Sequence, residues 1–390
     1  MIKKKIAILG STGSIGQTLL KIIEDNKNYF EVRLLSANKN YKKVLNQALK
    51  FKVSNVIIYD LKTFKKSQKI FRKKGINIFN NLFEFKKKQK IIFDYSMVGI
   101  IGFYGLEPTL DIIGITKKIA IANKESIICG WNLIQNKLKQ NKTKFVPIDS
   151  EHFSIDELIS NRDKNDIQKI YLTASGGPFL KKNIFNLKKI KVDDAIKHPT
   201  WKMGKKISID SATLINKVYE TIEAKKIFNI DYSKLDILIQ PTSYVHSIIK
   251  FYGGTIHYLS HKPSMIIPIF NSIIGDSKKK KMFKSDLDLK LLNNLMISQV
   301  PLKKFPIKKI LKTLPQKDSL FETVLVSAND TLVNLFLSKK ILFNQIHSIL
   351  YKILTLKKFR IYKKKTPKNV KEIANLYETV RLKTESLSVV

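Results

Sequence analysis

Residues 6–16, IAILGSTGSIG, join a short apolar run to a glycine-spaced turn and the start of an amphipathic stretch. An apolar run without alternation suits a strand buried on both faces, and such strands belong to parallel sheets covered by helices. Gly10, Gly13 and Gly16 allow a tight turn and bring backbone N–H groups towards a pyrophosphate at a helix N-terminus. The spacing is GxxGxxG, not the commoner GxGxxG, and the plain alternative is a ligand-free strand-to-helix turn. Its place after the first strand favours dinucleotide binding.

Further runs at Val32–Leu35, Val56–Tyr59, Met97–Ile101 and Ile119–Ala122 read as strands, and Ile15–Glu24, Tyr41–Lys50 and Leu106–Ile113 as helices. The alternation predicts a Rossmann-like, doubly wound parallel α/β domain over residues 1–150. An NAD site usually carries Asp or Glu at the end of the second strand. Here Ser36, Ala37, Asn38, Lys39 and Asn40 offer no carboxylate, and Lys39 can neutralise a 2′-phosphate, so NADP is favoured over NAD. Residues 151–285 mix strands, glycine turns and one strong helix, which predicts a central α+β domain. Val245–Phe251 and Thr255–Leu259 form a hairpin across Tyr252–Gly253–Gly254. The charge run Ser277–Lys281 reads as a solvated connection, residues 286–312 as a linker, and 313–390 as a small helical domain built from Leu320–Val326, Thr331–Leu337, Ile346–Leu354 and Val370–Leu382.

The net charge of +41 invites a nucleic-acid reading. Against it, only Arg33, Arg72, Arg162, Arg360 and Arg381 are arginines, whereas phosphate and base readers favour arginine's fork. The lysine, isoleucine, asparagine and phenylalanine excess reads as compositional bias. Specific nucleic-acid binding is therefore not expected. The single cysteine, Cys129, excludes an internal disulfide and argues for a reducing compartment. The apolar part of MIKKKIAILG is too short for a secretory signal, and no run reaches membrane-spanning length. A cytoplasmic protein is expected.

Asp149–Ser150–Glu151 follows the apolar run Phe145–Ile148; if extended, both carboxylates project to one side and call for a cation between them. Oxygen-only ligands point to Mg²⁺ or Mn²⁺. In a helix starting near Ala212, Asn216, Glu220 and Glu223 share a face, so either glutamate can complete the set. Ser211 and Lys217 at its start suit an anion. His198–Pro199–Thr200–Trp201–Lys202–Met203–Gly204 reads as a lid loop, and Thr173–Ala174–Ser175–Gly176–Gly177–Pro178 as a second anion-binding turn. Asn123–Lys124–Glu125 sits where a parallel strand ends, on the ligand-binding face of such sheets. Each also has a plain reading, as a solvated acidic strand end, an amphipathic surface helix or a loop packed on the core.

Taken in order, GSTGSIG, ANKES, PIDSEH, TASGGPF, HPTWKMGKKISIDSAT, INK, IEA and SAND resemble the 1-deoxy-D-xylulose 5-phosphate reductoisomerase family along essentially the whole chain. The resemblance implies NADPH, a divalent cation (Mg²⁺, Mn²⁺ or Co²⁺), a sugar phosphate substrate and a homodimer. It implies metal ligands Asp149, Glu151 and Glu220. It implies substrate contacts at Lys124, Glu125, Ser150, Ser175, His198, Ser211, Asn216 and Lys217, with Lys124, Glu125 and His198 also in the catalytic set. Cofactor contacts fall on Thr12, Gly13, Ser14, Ile15, Asn38, Lys39, Asn40, Asn123 and Gly204, and Trp201 and Met203 on a closing flap. The implied reaction is rearrangement by retro-aldol cleavage and re-addition, then hydride transfer to the aldehyde, giving 2-C-methyl-D-erythritol 4-phosphate. Val218–Tyr219, Gln240, Thr242, Ser264 and Ile266 depart from the family's usual residues. The competing readings are an NADP-linked sugar-phosphate dehydrogenase needing no carboxylate triad, and a nucleic-acid-binding protein driven by charge.

Overall fold

The computed structural model describes residues 2–183, 190–201, 203–274 and 287–388; the charge run at 277–281 lies outside them. Contacts divide the chain into two compact units. One comprises Met1–Ile127, Asn132–Asp149 and Met265–Lys284, the other Ile128–Trp131, Ser150–Ser264 and Ser285–Val390.

The first unit holds strands β1 (Lys4–Leu9), β2 (Phe30–Ala37), β3 (Asn55–Ile58), β4 (Asn77–Phe79), β5 (Tyr95–Val98), β6 (Lys118–Ile121) and β7 (Lys144–Val146). They form one sheet of order β4-β3-β2-β1-β5-β6-β7, parallel throughout. Ile6, Ala7, Ile8 and Leu9 are fully buried, as a strand covered on both faces requires. The order reverses beside β1, so the crevice at the carboxyl ends of β1 and β5 is the topological switch point. Five of the seven strands stand out as apolar runs between helices, and β7 falls on the apolar run Phe145–Ile148, which also reads as a strand, though it ends two residues earlier. Three-residue β4 is too short to show.

Helices Leu61–Lys73 and Leu82–Lys88 were not legible, because lysines crowd their sequences and only Ser67, Phe71, Leu82 and Phe85 are buried. Helix Ile266–Ile273, read from sequence as part of the central region, packs in the first unit. Ile269, Phe270 and Ile273 join Ile6, Ile8 and Leu19 in one core, and the Tyr95 hydroxyl meets the Ser272 hydroxyl at 2.7 Å.

The second unit carries β8 (Ile167–Ala174), β9 (Leu235–Ile239), β10 (Val245–Phe251), β11 (Ile256–Ser260) and β12 (Ser298–Gln299). Their order is β11-β10-β8-β9-β12; β8 and β9 are parallel and the remaining pairs antiparallel. Helices Ser150–Ile159 and Ile215–Phe228 supply Ile155, Ile159, Ala224 and Phe228 to the core against Ile170, Leu172 and Ile249. The C-terminal helices are Phe321–Leu337, Gln345–Thr355 and Val370–Ser388. The first is continuous where the sequence suggested two pieces, because the polar Ser327–Asp330 segment in its middle is buried or half-buried rather than a break. Among the described residues no helix is long and apolar enough to cross a membrane.

Within this unit His246 on β10 is 1% exposed and stacks on His261 with ring centroids 3.8 Å apart. Burial first, and then the neighbouring imidazole, depress its pKa to about 4. The unfolded chain takes up this proton near pH 6.5 and the folded chain only near 4. The stability this group confers is therefore complete above about pH 6.5 and is lost as the pH falls towards 4. Denaturant titrations across that window should show a loss of up to about 1.4 kcal/mol per pH unit from His246. The slope should shrink in His246→Asn; an identical slope in the variant would remove His246 as its source.

Candidate active site

In the first unit the glycine turn is fixed from three sides. Gly10 has φ +81°, and a Cβ on it would lie 2.7 Å from the Gly99 carbonyl. A Cβ on Gly16 would meet the Ser11 Cα at 2.5 Å. Ser36 at the end of β2 takes the Gly10 N–H on its hydroxyl (3.0 Å) and the Ser11 N–H on its carbonyl (2.9 Å). Gln47 accepts from the Ser11 hydroxyl (2.8 Å) and donates to the Ser11 carbonyl (3.0 Å). The turn therefore presents Thr12, Gly13, Ser14 and Ile15 at the start of helix Ser14–Glu24, with Ser14 exposed. Asn38, Lys39 and Asn40 are exposed beyond β2, and the Asn40 side chain caps the next helix by accepting from the Lys43 N–H (3.2 Å). The bracing of the turn by Ser36 and Gln47 has no local signal, because their partners lie 25 and 36 residues away.

Asn123 ends β6 and caps helix Lys124–Asn141, accepting from the Ser126 N–H at 2.6 Å. Its amide donates to the carbonyls of Ile100 and Gly102 (2.7 Å to Gly102), so this side chain braces the loop after β5. Lys124 opens the helix and ion-pairs with Asp149; their side chains are 11% and 23% exposed. Glu125 is buried beside it in sequence.

In the second unit, helix Ser150–Ile159 begins at Ser150, so residues 149–151 are not extended. The same-side argument from strand alternation fails; Glu151 instead projects from a first helical turn. Nor does one helix start near Ala212. Helix Lys205–Ala212 ends there, Leu214 takes a left-handed conformation (φ 59°), and a new helix runs Ile215–Phe228. Ser211 therefore sits in the last turn of the earlier helix, not among free N–H groups.

The bend puts Lys217, 5% exposed, between two carboxylates. Its ammonium pairs with Glu151 at 2.6 Å and also with Glu220. Burial pulls the Lys217 pKa down, but the two carboxylates outweigh it and hold the lysine charged. The Ser150 hydroxyl donates to Glu151 (2.7 Å), and the Asn216 amide donates to Glu220. Glu151 and Glu220 offer oxygens within 4.8 Å of each other. Their backbones are gripped too: the Ser247 hydroxyl donates to the Glu151 carbonyl (3.0 Å), and the His152 Nε2 meets the Glu220 carbonyl at 2.9 Å. Glu223 is as buried as Glu220, at 2%. The Asn216 Oδ1 is buried and finds no hydrogen-bond donor among the described residues.

Ser175 follows β8, and its hydroxyl accepts from the Gly177 N–H (3.1 Å) and meets His198 Nε2 at 3.1 Å. The Nδ1 of His198 accepts from the N–H groups of Thr200 (3.2 Å) and Trp201 (3.0 Å), which leaves the proton on Nε2. Burial, then the charge of Lys217, lower the His198 pKa to about 4. A neutral His198 therefore organises the lid loop from inside. Trp201 packs edge-on against His246 (6.4 Å), and Met203 is half-buried. Gly204 caps the following helix and lies in this second unit, apart in sequence from the other cofactor candidates. Gly177 (φ +65°) presses on the helix end: a Cβ there would meet the Ser211 carbonyl at 2.9 Å. The turn after Ser175 thus presses on the helix end that carries Ser211, and the left-handed Leu214 leads from there to Asn216 and Lys217. The departures from family pattern are accommodated. Val218 and Tyr219 are buried, and the Gln240 side chain accepts from the Tyr244 N–H at 2.8 Å.

Family models describing 1-deoxy-D-xylulose 5-phosphate reductoisomerase match residues 6–130, and its C-terminal domains match 145–228 and 261–383. The 1-deoxy-D-xylulose 5-phosphate reductoisomerase of Pelagibacter ubique (strain HTCC1062) is 54% identical over 390 residues, covering 99% of this chain and 100% of the relative. That of Clostridium novyi (strain NT) is 35% identical, with 97% of each chain covered. A crystal structure of DOX-P reductoisomerase in complex with NADPH, fosmidomycin and magnesium superposes with a TM-score of 0.90 at 29% identity, covering 99% of this chain and 98% of that one. The enzyme from Zymomonas mobilis in complex with NADPH gives a TM-score of 0.85 at 28% identity, with 99% of each chain covered. Fold, motif order and full-length identity agree, and the chain belongs to the 1-deoxy-D-xylulose 5-phosphate reductoisomerase family.

Proposed function

We propose that this chain converts 1-deoxy-D-xylulose 5-phosphate to 2-C-methyl-D-erythritol 4-phosphate by rearrangement and NADPH-dependent reduction, a step in making isoprenoid precursors. The observation that carries the reading is the buried Glu151–Lys217–Glu220 set beside the Ser175–Ser211 cluster. A simple sugar-phosphate dehydrogenase has no use for it.

The residues present fit a divalent cation. Glu151 and Glu220 bring two carboxylates together around the ammonium of Lys217, and all the donors are oxygens, as a hard divalent cation prefers. Asp149 joins Glu151 through one residue, which holds their backbones within about 7 Å. Asp149, Glu151 and Glu220 are the ligands, and Mg²⁺ is the ion a relative's crystal contains; Mn²⁺ and Co²⁺ suit the same oxygens. When bound, the cation supplies Lewis-acid polarisation of the ketone and hydroxyl oxygens, and NADPH supplies the hydride.

The chain's own residues bind and orient. Ser175, Ser211, Asn216 and Lys217 grip the phosphate, and the buried Asn216 Oδ1 is free to accept from a substrate hydroxyl. Ser150 orients Glu151. Lys124, charged and held by Asp149, with Glu125 next to it, positions the hydroxyls and moves protons during the carbon–carbon cleavage. His198, neutral, holds Ser175 and the lid loop, whose Trp201 and Met203 exclude water. Thr12, Gly13, Ser14 and Ile15 would hold the NADPH pyrophosphate, and Asn38, Lys39 and Asn40 its 2′-phosphate, with Asn123 and Gly204 as further candidate contacts. The single cysteine, Cys129, is buried and forms no disulfide, so the fold places no demand on an oxidising compartment, which supports a cytoplasmic setting. The chain forms a homodimer: β11 is a sheet edge exposing Ile256 and Tyr258, a surface suited to a second copy.

The test of function is NADPH oxidation with deoxyxylulose phosphate and Mg²⁺. Turnover should vanish on chelation and return with metal; turnover indifferent to chelation would sink the ligand assignment. Glu220→Gln should cut turnover by about 100-fold or more and Glu223→Gln far less; equal losses would move the ligand. Lys217→Met leaves two buried carboxylates facing each other and should cost about 3–5 kcal/mol without metal. Mg²⁺ should then raise its melting temperature more than that of the wild type, and an equal rise in both would place the cation elsewhere. Light scattering should give twice the 45.0 kDa chain mass. Tyr258→Lys should shift it to one chain; a dimer untouched by that change would exclude the β11 edge.

A further inference from the structure

The SAND segment, Ser327–Asp330, lies in the middle of helix Phe321–Leu337 and has no part in the reaction described above. Its side chains reach helix Lys205–Ala212, the two-turn element that starts at the lid hinge Gly204 and ends beside Ser211. The Asn329 amide donates to Asp210 at 2.7 Å. Asp210 is 2% exposed, and so is a charge buried on a very short helix. Lys206 pairs with Asp210 (3.1 Å) and with Asp330 (3.0 Å), and the Tyr377 hydroxyl donates to Asp330 at 2.8 Å. The Ser327 hydroxyl donates to the Tyr377 carbonyl at 2.5 Å, closing the set onto helix Val370–Ser388.

A buried carboxylate costs several kcal/mol unless paired, yet an apolar residue at 210 would pack the helix without that cost. What the charged set adds is direction: it fixes rotation and axial position, which apolar contact specifies loosely. The neighbouring contacts leave little slack, since the Ser211 carbonyl lies where a Gly177 Cβ would be, at 2.9 Å. A shift of the helix therefore displaces Ser211 relative to Ser175.

We propose that Asp210, Lys206, Asn329, Asp330 and Tyr377 are positioning residues by which the C-terminal helices hold Ser211 in register with Ser175, and so set affinity for the phosphate of the substrate. The inference rests on the phosphate reading of that cluster. The cofactor candidates other than Gly204 lie in the first unit, so a positioning role separates substrate from cofactor.

The experiment compares Asn329→Ala with Ile353→Ala, which removes core volume from helix Gln345–Thr355. KM values for deoxyxylulose phosphate and NADPH are measured, and inorganic phosphate is titrated calorimetrically into the full chain. Asn329→Ala should raise the deoxyxylulose phosphate KM and the phosphate Kd by about tenfold, as a misplaced binding group does. Its NADPH KM should stay within about twofold, and Ile353→Ala should leave the phosphate Kd within the same margin. Tyr377→Phe, at the outer edge of the set, should move both substrate readings about threefold in the same direction. The proposal is overturned by an unchanged phosphate Kd in Asn329→Ala, by an equal change in Ile353→Ala, or by no measurable phosphate binding in the wild type. If Asn329→Ala does not fold, Tyr377→Phe decides, and no change there overturns it. A wild type that binds phosphate but does not turn over deoxyxylulose phosphate defeats the functional reading alone.

Discussion

The ion set at Lys217 is the constraint on which the second unit's site depends. Three charges from two helices sit in its interior, and each alone would cost several kcal/mol. They are tolerable only together, so helices Ser150–Ile159 and Ile215–Phe228 must meet in one register. The backbone grips on Glu151 by Ser247 and on Glu220 by His152 fix the same register from the strand and helix sides. An apolar contact of the same size would tolerate sliding; this one does not.

The first unit solves a different problem. A phosphate turn needs N–H groups that are pre-aimed, and glycine alone leaves them free to wander. Ser36 and Gln47 remove that freedom by occupying the turn's polar groups that face inwards. Asn123 does the same for the loop after β5. In both units, therefore, side chains brace the candidate site residues through hydrogen bonds to the main chain.

Signals local in sequence were legible. The glycine turn, five parallel strands and the β10–β11 hairpin are set by short-range chemistry, namely apolar runs and turn residues. The lysine-rich helices were not, because a surface so crowded with one residue type hides a 3.6-residue period. The site was half legible. Residue types and order pointed to the carboxylates, but the geometry inferred for them was wrong in two places. Asp149–Glu151 was read as extended although the helix starts at Ser150, and Ser211 was placed at a helix start although it ends one. The second error has an identifiable source. Left-handed turns such as that at Leu214 depend on tertiary packing, and leucine gives no local warning of them. Ser247 and His246 were invisible for the complementary reason, since their partners are remote in the chain.

The charge imbalance looks different once the acids are located. The chain has 72 basic residues and 31 acidic ones. Asp210, Glu125, Glu220, Glu223 and Glu322 are all buried, whereas among the described lysines only Lys217 and Lys226 are, each against acidic partners. Lysines crowd the surface, where an added charge costs little, while the two buried lysines each stand against acidic partners, because an unpaired buried charge costs several kcal/mol.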